Sequence, residues 1–215
     1  MNPVLALALS VVLAYIMGSF PTSYVLARIF KGIDIRQVGS KNAGATNVLR
    51  SVGKLPALVT LIVDILKGVA AVTIVANYFY KFNIDLQYDA YRGILALAVV
   101  CGHIWSVFLK FKGGKGVATT IGVAIVLTPF ALIPSAIVWL LVLYITNFVS
   151  LASIMALLLF PAIACILKYP LYIILSSVVI CSISIYKHRD NINRLVRGQE
   201  NETRLFKKKM NILVI

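Results

Sequence analysis

Long apolar segments constrain the fold of this chain more strongly than any motif does. Runs that carry few or no charges occupy residues 3–27, 55–80, 93–109, 117–148 and 151–186. About 20 apolar residues in a helix cross the hydrocarbon core of a bilayer, and about 17 is a practical minimum. Charged types make up only 13% of the sequence, whereas soluble domains carry about 25%. The sequence therefore predicts an all-α integral membrane protein.

Two of these runs are too long for a single span. Residues 117–148 would form a helix of about 48 Å, well beyond the hydrocarbon core of about 30 Å. Pro129 and Pro134 lie near the middle of this run, and residues 168–170 interrupt the run at 151–186. Proline removes a backbone donor and favours a break in a helix. Each run is thus predicted to form two helices, which gives a bundle of seven short transmembrane helices with polar cytoplasmic loops.

Basic residues are distributed unevenly between the two sides of this predicted bundle. Seventeen lysines and arginines lie on the side that carries the C-terminus, and three lie on the other side. Because lysine and arginine are enriched in cytoplasmic loops, the C-terminus is predicted to be cytoplasmic. A membrane domain of residues 1–197 is followed by a predicted basic tail, residues 198–215, that is expected to contact anionic lipid. Nucleic acid is not expected as a partner, since its binding would require aromatic side chains interleaved with basic ones.

A dense group of hydrogen-bond donors follows the first predicted span. Residues 39–47 read GSKNAGATN, in which glycines let backbone N–H groups approach an anion and Ser, Thr and Asn add side-chain donors. Arg50 follows on the same face if a helix begins there, and its guanidinium suits a phosphate. The two glycines have the spacing of a Walker A loop, but the lysine that neutralises the phosphates is absent, which excludes nucleotide hydrolysis.

A basic, glycine-rich turn precedes the fourth predicted span. The turn comprises Lys112, Gly113, Gly114, Lys115 and Gly116. The N-terminus of a helix binds anions through its free N–H groups and its dipole. An anion site is therefore predicted here, and a simple cytoplasmic anchor between two spans is the alternative.

Polar residues also follow the fifth and seventh predicted spans. His188, Asp190 and Asn191 come where the chain leaves the membrane, and a histidine there can move protons near neutral pH. Ser150 belongs to a small uncharged polar group that can either bind a ligand or cap helices. Because odd-numbered loops share one side of the membrane, all four polar segments are predicted to face the cytoplasm together.

Three ionisable residues lie inside predicted spans. Asp64 and Lys67 are three residues apart on one helix face and are interpreted as a structural pair that neutralises itself. His103 is either a functional residue or a packing histidine whose polar atoms are satisfied. The cysteines do not have the spacing of a zinc site, and no metal or other cofactor is predicted.

The motifs of this chain resemble those of the PlsY family, bacterial membrane acyltransferases that acylate glycerol 3-phosphate from acyl phosphate. The likeness extends from Gly18 to Arg194 and is carried by three segments in order. They are GSKNAGATNVLR at 39–50, GHIW at 102–105 followed by KGGKGVAT at 112–119, and HRDN at 188–191. Two positions depart from the family pattern, since Lys41 stands where glycine is common and Asp190 where glutamate is usual.

The resemblance implies transfer of an acyl chain from long-chain acyl phosphate to the 1-hydroxyl of glycerol 3-phosphate, giving lysophosphatidate and phosphate. It implies a site on the inner face of the bacterial cytoplasmic membrane, with a soluble acyl-phosphate synthase as a candidate partner for hand-over. It places His188 and Asn191 at the reacting centre. The acyl phosphate is expected to lie against Gly113, Gly114 and Gly116. Phosphate binding is expected of Ser40, Asn42, Asn47, Arg50, Lys112, Lys115 and Ser150, and structural support of Asp64, Lys67 and Asp190.

Direct attack of the glycerol hydroxyl on the acyl carbonyl is the expected reaction, because an acyl phosphate already carries a good leaving group. The local sequence contains no serine or cysteine beside a histidine and an acid, and no H-x4-D signature. Two other classes remain open. A small-anion transporter would require discontinuous helices near the bilayer midplane, and a lipid-binding scaffold would show no turnover.

Overall fold

The computed structural model describes residues 1–203, which are helical with short connections and contain no β-strand. The helices within this range are α1 (Pro3–Ser19), α2 (Thr22–Lys31), α3 (Ala45–Ser51), α4 (Lys54–Ala70), α5 (Ala76–Tyr80), α6 (Tyr88–Ile104), α7 (Val117–Leu127), α8 (Pro129–Thr146), α9 (Val149–Ile166), α10 (Leu171–Tyr186) and α11 (Arg189–Val196). A π-helical turn joins α4 to α5, and a 3-10 turn follows α6. The predicted lipid contacts of residues 204–209 lie outside the described residues.

Five helical segments of the described chain are long and apolar enough to cross a membrane. They are Pro3–Lys31, Lys54–Tyr80, Tyr88–Leu109, Pro129–Thr146 and Val149–Ile166. The pair α10 and α11, bent by 53°, makes a sixth if it is counted as one broken span, and α7 is a shorter apolar helix of 11 residues. The predicted all-α integral membrane architecture is confirmed, while the count of seven spans stays a prediction.

Both long apolar runs are divided in the structure. The first run breaks at Thr128, and Pro129 takes the first position of α8, where a helix does not need its N–H group. Pro134, near which a break was also expected, lies inside α8. The second run breaks between Ile166 and Leu171, at the predicted position. The helix ends at these breaks keep α7, α8, α9 and α10 short.

Close packing of α4 against α7 depends on glycine at their crossing. A Cβ atom at Gly122 would lie 2.0 Å from the carbonyl oxygen of Ile65, and one at Gly68 would lie 2.4 Å from that of Thr119. Helices in a membrane associate through such close backbone approach, since lipid is as apolar as the side chains it would replace. The crossing therefore fixes the first turns of α7 against α4.

Candidate active site

The first polar loop is shaped by one buried asparagine. Asn47 Nδ2 donates to the carbonyl oxygens of Ile35 and Val38 at 3.0 Å and to that of Asn42 at 3.1 Å, and Asn47 Oδ1 accepts from Ser40 N–H at 3.0 Å. The hydrogen-bonding capacity of this amide is thus taken up by the loop backbone. Asn47 holds the loop in shape, and the hydroxyl of Ser40 is left to meet a ligand.

Lys41 departs from the family pattern at a position with unusual backbone geometry. Its φ is +57°, in the left-handed region that glycine adopts without a steric penalty. A residue with a Cβ atom in this region pays about 1–2 kcal/mol. The exposed Lys41 therefore keeps the loop conformation that a glycine would adopt more easily.

A cavity of about 680 Å³ receives polar side chains from all four predicted segments. The predicted site residues that line it are Ser40, Asn42, Asn47, Arg50, Asp64, Lys115, Gly116, Ser150, His188 and Asn191. The predicted residues Lys112, Gly113, Gly114, Lys67 and Asp190 are not among its lining residues. The sequence segments therefore meet at one site, but each contributes a subset of its candidates.

The two halves of the glycine turn have different surroundings: Gly113 and Gly114 are bonded to the end of α6, whereas Lys115 and Gly116 line the cavity. The N–H groups of Gly113 and Gly114 donate to the carbonyl oxygens of Ile104 and His103, at 3.1 and 3.0 Å. These donors therefore cap the end of α6 and are not free for an anion. Gly116 is the N-cap residue of α7 and forms no side-chain cap hydrogen bond, so the first N–H groups of that helix remain available as donors to an anion.

The two lysines of the turn point to different surroundings. Lys112 is exposed, whereas Lys115 Nζ donates a hydrogen bond to Oδ1 of Asn191 inside the cavity. Burial is the largest influence on Lys115 and lowers its pKa to about 8. Burial also lowers the pKa of Arg50, which a guanidinium tolerates without losing its charge. The cavity thus holds the half-buried ammonium of Lys115, and the more exposed guanidinium of Arg50 lies at its edge, so both can attract an anion.

His188 is buried at the junction of α10 and α11 with one ring nitrogen engaged. Its Nδ1 lies 2.8 Å from the carbonyl oxygen of Ser184, which can only accept, so Nδ1 carries a proton. Burial and, next, the charge of Lys115 lower the pKa of His188 to about 4. The imidazole is therefore neutral at pH 7 and has a lone pair on Nε2 at the cavity wall.

Glu200 is a site residue that the sequence prediction missed. Its Oε1 accepts from Ser150 Oγ at 2.9 Å and from Asn191 Nδ2 at 2.7 Å, and its Oε2 accepts from Arg194 Nε at 2.8 Å. The side chain is 3% exposed. The available signal was a pair of carboxylates, Glu200 and Glu202, in a basic segment of a chain with only seven acidic residues.

The chain that follows α11 crosses the mouth of the cavity. Arg50 donates to the carbonyl oxygen of Asn201 at 2.9 Å and to the hydroxyl of Thr203. The N–H group of Thr203 donates to the carbonyl oxygen of Asn147 at 2.8 Å. Residues 198–215 were predicted to form a basic tail in contact with anionic lipid, but Glu200, Asn201 and Thr203 of this segment contact residues of the site directly.

Of the predicted support residues, Asp64 lines the cavity, whereas Lys67 and Asp190 are not among its lining residues. Asp190 is exposed in the first turn of α11, where a carboxylate is stabilised by the helix dipole. Lys67 Nζ lies 2.9 Å from Oδ1 of Asp64, and Thr22 donates to the same oxygen at 3.3 Å. Among residues 1–203, no group of three or more His, Cys, Asp or Glu side chains could hold a metal ion.

The inner part of the cavity is an apolar groove between helices. Its walls come from α4, α7, α8 and α9, and it extends along α9 from Ser150 to Phe160, about 15 Å at 1.5 Å per residue. Leu61 on α4 and Leu140 on α8 line it and are 37% and 52% exposed, so the groove opens toward lipid between these helices. Trp139 Nε1 donates to Ser153 Oγ at 3.1 Å and is held fixed in the wall.

The fold and the site together define an integral membrane protein with one continuous cavity, in which cationic and hydrogen-bonding groups adjoin an apolar groove. The sequence model of the glycerol-3-phosphate acyltransferase family matches residues 8–198. The chain belongs to this family, as its resemblance to PlsY predicted.

Relatives and solved structures agree over most of the chain. The glycerol-3-phosphate acyltransferase of Desulforamulus reducens is 41% identical over 187 residues, which cover 87% of this chain and 90% of that protein. The crystal structure of PlsY, an integral membrane glycerol 3-phosphate acyltransferase, in its glycerol 3-phosphate form superimposes with a TM-score of 0.82. That match has 38% identity and covers 92% of this chain and 95% of that one. The lysophosphatidic acid form of PlsY matches with a TM-score of 0.80 and 37% identity, over 91% and 94% of the two chains.

Proposed function

We propose that the protein transfers an acyl chain from a long-chain acyl phosphate to the 1-hydroxyl of glycerol 3-phosphate, the first step of bacterial phospholipid synthesis. The products are lysophosphatidate and inorganic phosphate. One observation carries the proposal: an anion-binding mouth continues into an apolar groove that opens to lipid, within a chain of the glycerol-3-phosphate acyltransferase family. Both a phosphorylated head and an acyl tail fit such a cavity.

The two substrates have separate binding groups in the mouth of the cavity. Arg50, Ser40 and Asn42 would bind the phosphate of glycerol 3-phosphate, since a guanidinium and neighbouring polar groups match its oxygens. Lys115 and the first N–H groups of α7 would bind the phosphate of the acyl phosphate. The acyl chain would follow the apolar groove. Holding two anions in fixed relation accounts for much of the rate gain through positioning.

The chemical step uses the neutral imidazole of His188. The glycerol hydroxyl oxygen forms a bond to the acyl carbonyl carbon, and its proton passes to Nε2 of His188. The bond from the carbonyl carbon to the phosphate oxygen then breaks, the proton passes from Nε2 of His188 to the departing phosphate, and the neutral imidazole is regenerated. One N–H bond of Asn191 Nδ2 donates a hydrogen bond to Glu200, so the second N–H bond can donate to the developing oxyanion. No acyl-enzyme is required, because the donor is already an activated anhydride.

A turnover assay tests the proposed reaction. The purified full-length protein in phospholipid nanodiscs is incubated with radiolabelled glycerol 3-phosphate and palmitoyl phosphate, and lysophosphatidate is measured by extraction and chromatography. We expect product with palmitoyl phosphate and little with palmitoyl-coenzyme A. Absence of lysophosphatidate with every donor would overturn the proposal. Uptake of glycerol 3-phosphate into proteoliposomes without product would identify a transporter instead.

The proposed location is the bacterial cytoplasmic membrane, with the site and the C-terminus on the cytoplasmic side. The excess of basic residues on the site side supports this orientation, and it would let a soluble acyl-phosphate synthase deliver the donor. Single cysteines at the exposed positions Lys41, Lys112 and Lys168 test it. An impermeant maleimide should label position 168 in intact cells. It should label positions 41 and 112 only after the cells are permeabilised, which exposes the cytoplasmic face of the membrane. The reverse pattern would place the site outside.

A further inference from the structure

A buried polar cluster lies beneath the glycine turn, and the chemistry above does not use it. Asp64 is 2% exposed and His103 is 8% exposed. Oδ1 of Asp64 lies 2.9 Å from Nζ of Lys67 and 3.8 Å from Nδ1 of His103. Ionisable side chains inside a membrane span are costly and mark functional sites. The ion pair of Asp64 and Lys67 balances its own charge, so neutralisation does not explain why His103 is there.

His103 touches the glycine turn through both its main chain and its ring. Its carbonyl oxygen accepts from the N–H group of Gly114 at 3.0 Å. A Cβ atom at Gly114 would lie 2.2 Å from Nε2 of His103 and 2.8 Å from the carbonyl oxygen of Ala43. Gly114 is therefore enclosed between the imidazole and the backbone of the first polar loop, with no room for a side chain.

The position of Gly114 determines where the groups that would bind the acyl phosphate lie. Lys115, the next residue, reaches Asn191 in the cavity, and Gly116 is the N-cap residue of α7. A movement of Gly114 would therefore carry the ammonium group and the first turn of α7 with it. The loop that presents Ser40 touches Gly114 through the backbone of Ala43, but the hydrogen bonds of Asn47 hold its shape independently of the glycine turn.

We propose that Asp64 and His103 are positioning residues for the acyl-phosphate half of the site. Asp64, fixed by Lys67 and Thr22, orients the imidazole of His103. The imidazole in turn sets the place of Gly114, and so of Lys115 and the start of α7. This inference rests on the proposed function for the identity of the donor. It predicts that variants of Asp64 and His103 weaken the binding of the acyl phosphate and leave the binding of glycerol 3-phosphate nearly unchanged.

Steady-state kinetics of His103→Ala test this selectivity. We expect the KM for palmitoyl phosphate to rise at least about tenfold, since misplacing a binding group by about 1 Å has effects of that size. The KM for glycerol 3-phosphate should stay within about twofold, and His103→Gln, whose amide nitrogen reaches the Nε2 position, should restore part of the donor affinity. Equal changes in both KM values, or a fall in Tm alone, would overturn the proposal.

The double variant Asp64→Asn/Lys67→Met separates positioning from charge balance. It removes both charges together and leaves no unpaired buried ion, so a purely structural pair predicts wild-type kinetics. The positioning role predicts the same selective rise in donor KM that His103→Ala shows. Wild-type donor KM in this variant would remove Asp64 from the proposal.

A measurement without turnover keeps this inference distinct from the proposed function. Competitive acetylation of Lys115, followed by mass spectrometry across pH, reports its apparent pKa in the wild-type protein and in His103→Ala. Release of Lys115 from its buried position should raise its pKa from about 8 toward the ordinary 10.5. An unchanged labelling profile would refute the positioning role even if acyl transfer is observed. A shifted profile in a protein that shows no acyl transfer would support it and contradict the proposed function alone.

Discussion

The carboxylate of Glu200 accepts a hydrogen bond from the hydroxyl of Ser150 at 2.9 Å, across fifty residues of sequence. The same carboxylate binds Asn191 and Arg194. It brings a negative charge close to a group of cations that would otherwise repel one another. The chain after α11 therefore stabilises the arrangement of the proposed phosphate-binding groups.

Replacing Glu200 tests this stabilisation. Glu200→Gln keeps the shape of the side chain but removes the charge and points an amide N–H₂ group at one or more donors. A buried charged hydrogen bond contributes about 1.5–3 kcal/mol, so we expect kcat/KM to fall about 10- to 100-fold and Tm to drop. Gln199→Ala, at an exposed neighbouring position, is the matched control and should resemble wild type. Wild-type activity in Glu200→Gln would show that the carboxylate is dispensable.

The pH dependence of kcat/KM reports the state of Lys115. Its ammonium is charged below its pKa of about 8 and becomes neutral above it, so kcat/KM should fall as pH rises through about 8. Phosphate monoesters have a second pKa of about 6 and do not change charge in this range. The guanidinium in Lys115→Arg stays charged up to about pH 12, so this variant should lack the alkaline fall in kcat/KM. A limb that persists unchanged in Lys115→Arg would assign it to another group.

Arg50 and Ser40 form the proposed phosphate clamp for glycerol 3-phosphate, so their replacement should affect the KM of mainly that substrate. Arg50→Ala and Ser40→Ala are each expected to raise the KM for glycerol 3-phosphate, by about tenfold or more for Arg50, because a charge-assisted hydrogen bond is lost. The KM for acyl phosphate should change much less. Arg28→Ala, which removes an exposed arginine outside the cavity, serves as the control. Unchanged KM values in both site variants would argue against the clamp.

The imidazole of His188 is expected to act on the chemical step. His188→Ala should lower kcat by about 10²- to 10⁴-fold, the usual contribution of a general base, with smaller effects on either KM. Because the pKa of His188 is lowered to about 4, protonation of this histidine should not reduce kcat above about pH 5. Full activity in His188→Ala would remove the histidine from the mechanism, and an acid limb near 6.5 that is present in the wild type and absent from His188→Ala would contradict its neutral state.

The apolar groove predicts how acyl-chain length affects activity. Ala136 lines the groove ten residues before Thr146, the end of α8 at the cavity mouth, which is about 15 Å along the helix. Ala136→Phe should obstruct a palmitoyl chain and lower kcat/KM for palmitoyl phosphate about tenfold, while octanoyl phosphate, with half the chain length, is affected less. Ile137→Phe, at a neighbouring position that is 52% exposed, should leave both donors unaffected. Equal losses with both donors would place the acyl chain elsewhere.

The membrane architecture and most of the chemistry-bearing residues could be predicted from the sequence. Apolar runs must form helices in lipid because every backbone polar group needs an internal partner, and bilayer thickness limits their length. The same limit required the break that the structure has at Thr128. Side-chain types such as those of Arg50 and His188 indicated phosphate binding and proton transfer before their positions were known.

Contacts between distant segments were decided by the tertiary structure alone. Lys115 rather than Lys112 enters the cavity because the turn before α7 is fastened to the end of α6. The N–H groups of Gly113 and Gly114 form that attachment and are therefore not available to bind an anion. Glu200 likewise meets Ser150 because the chain that follows α11 crosses the mouth of the cavity. Residue types and local spacing set which groups a chain can offer, whereas packing between helices determines which of them meet.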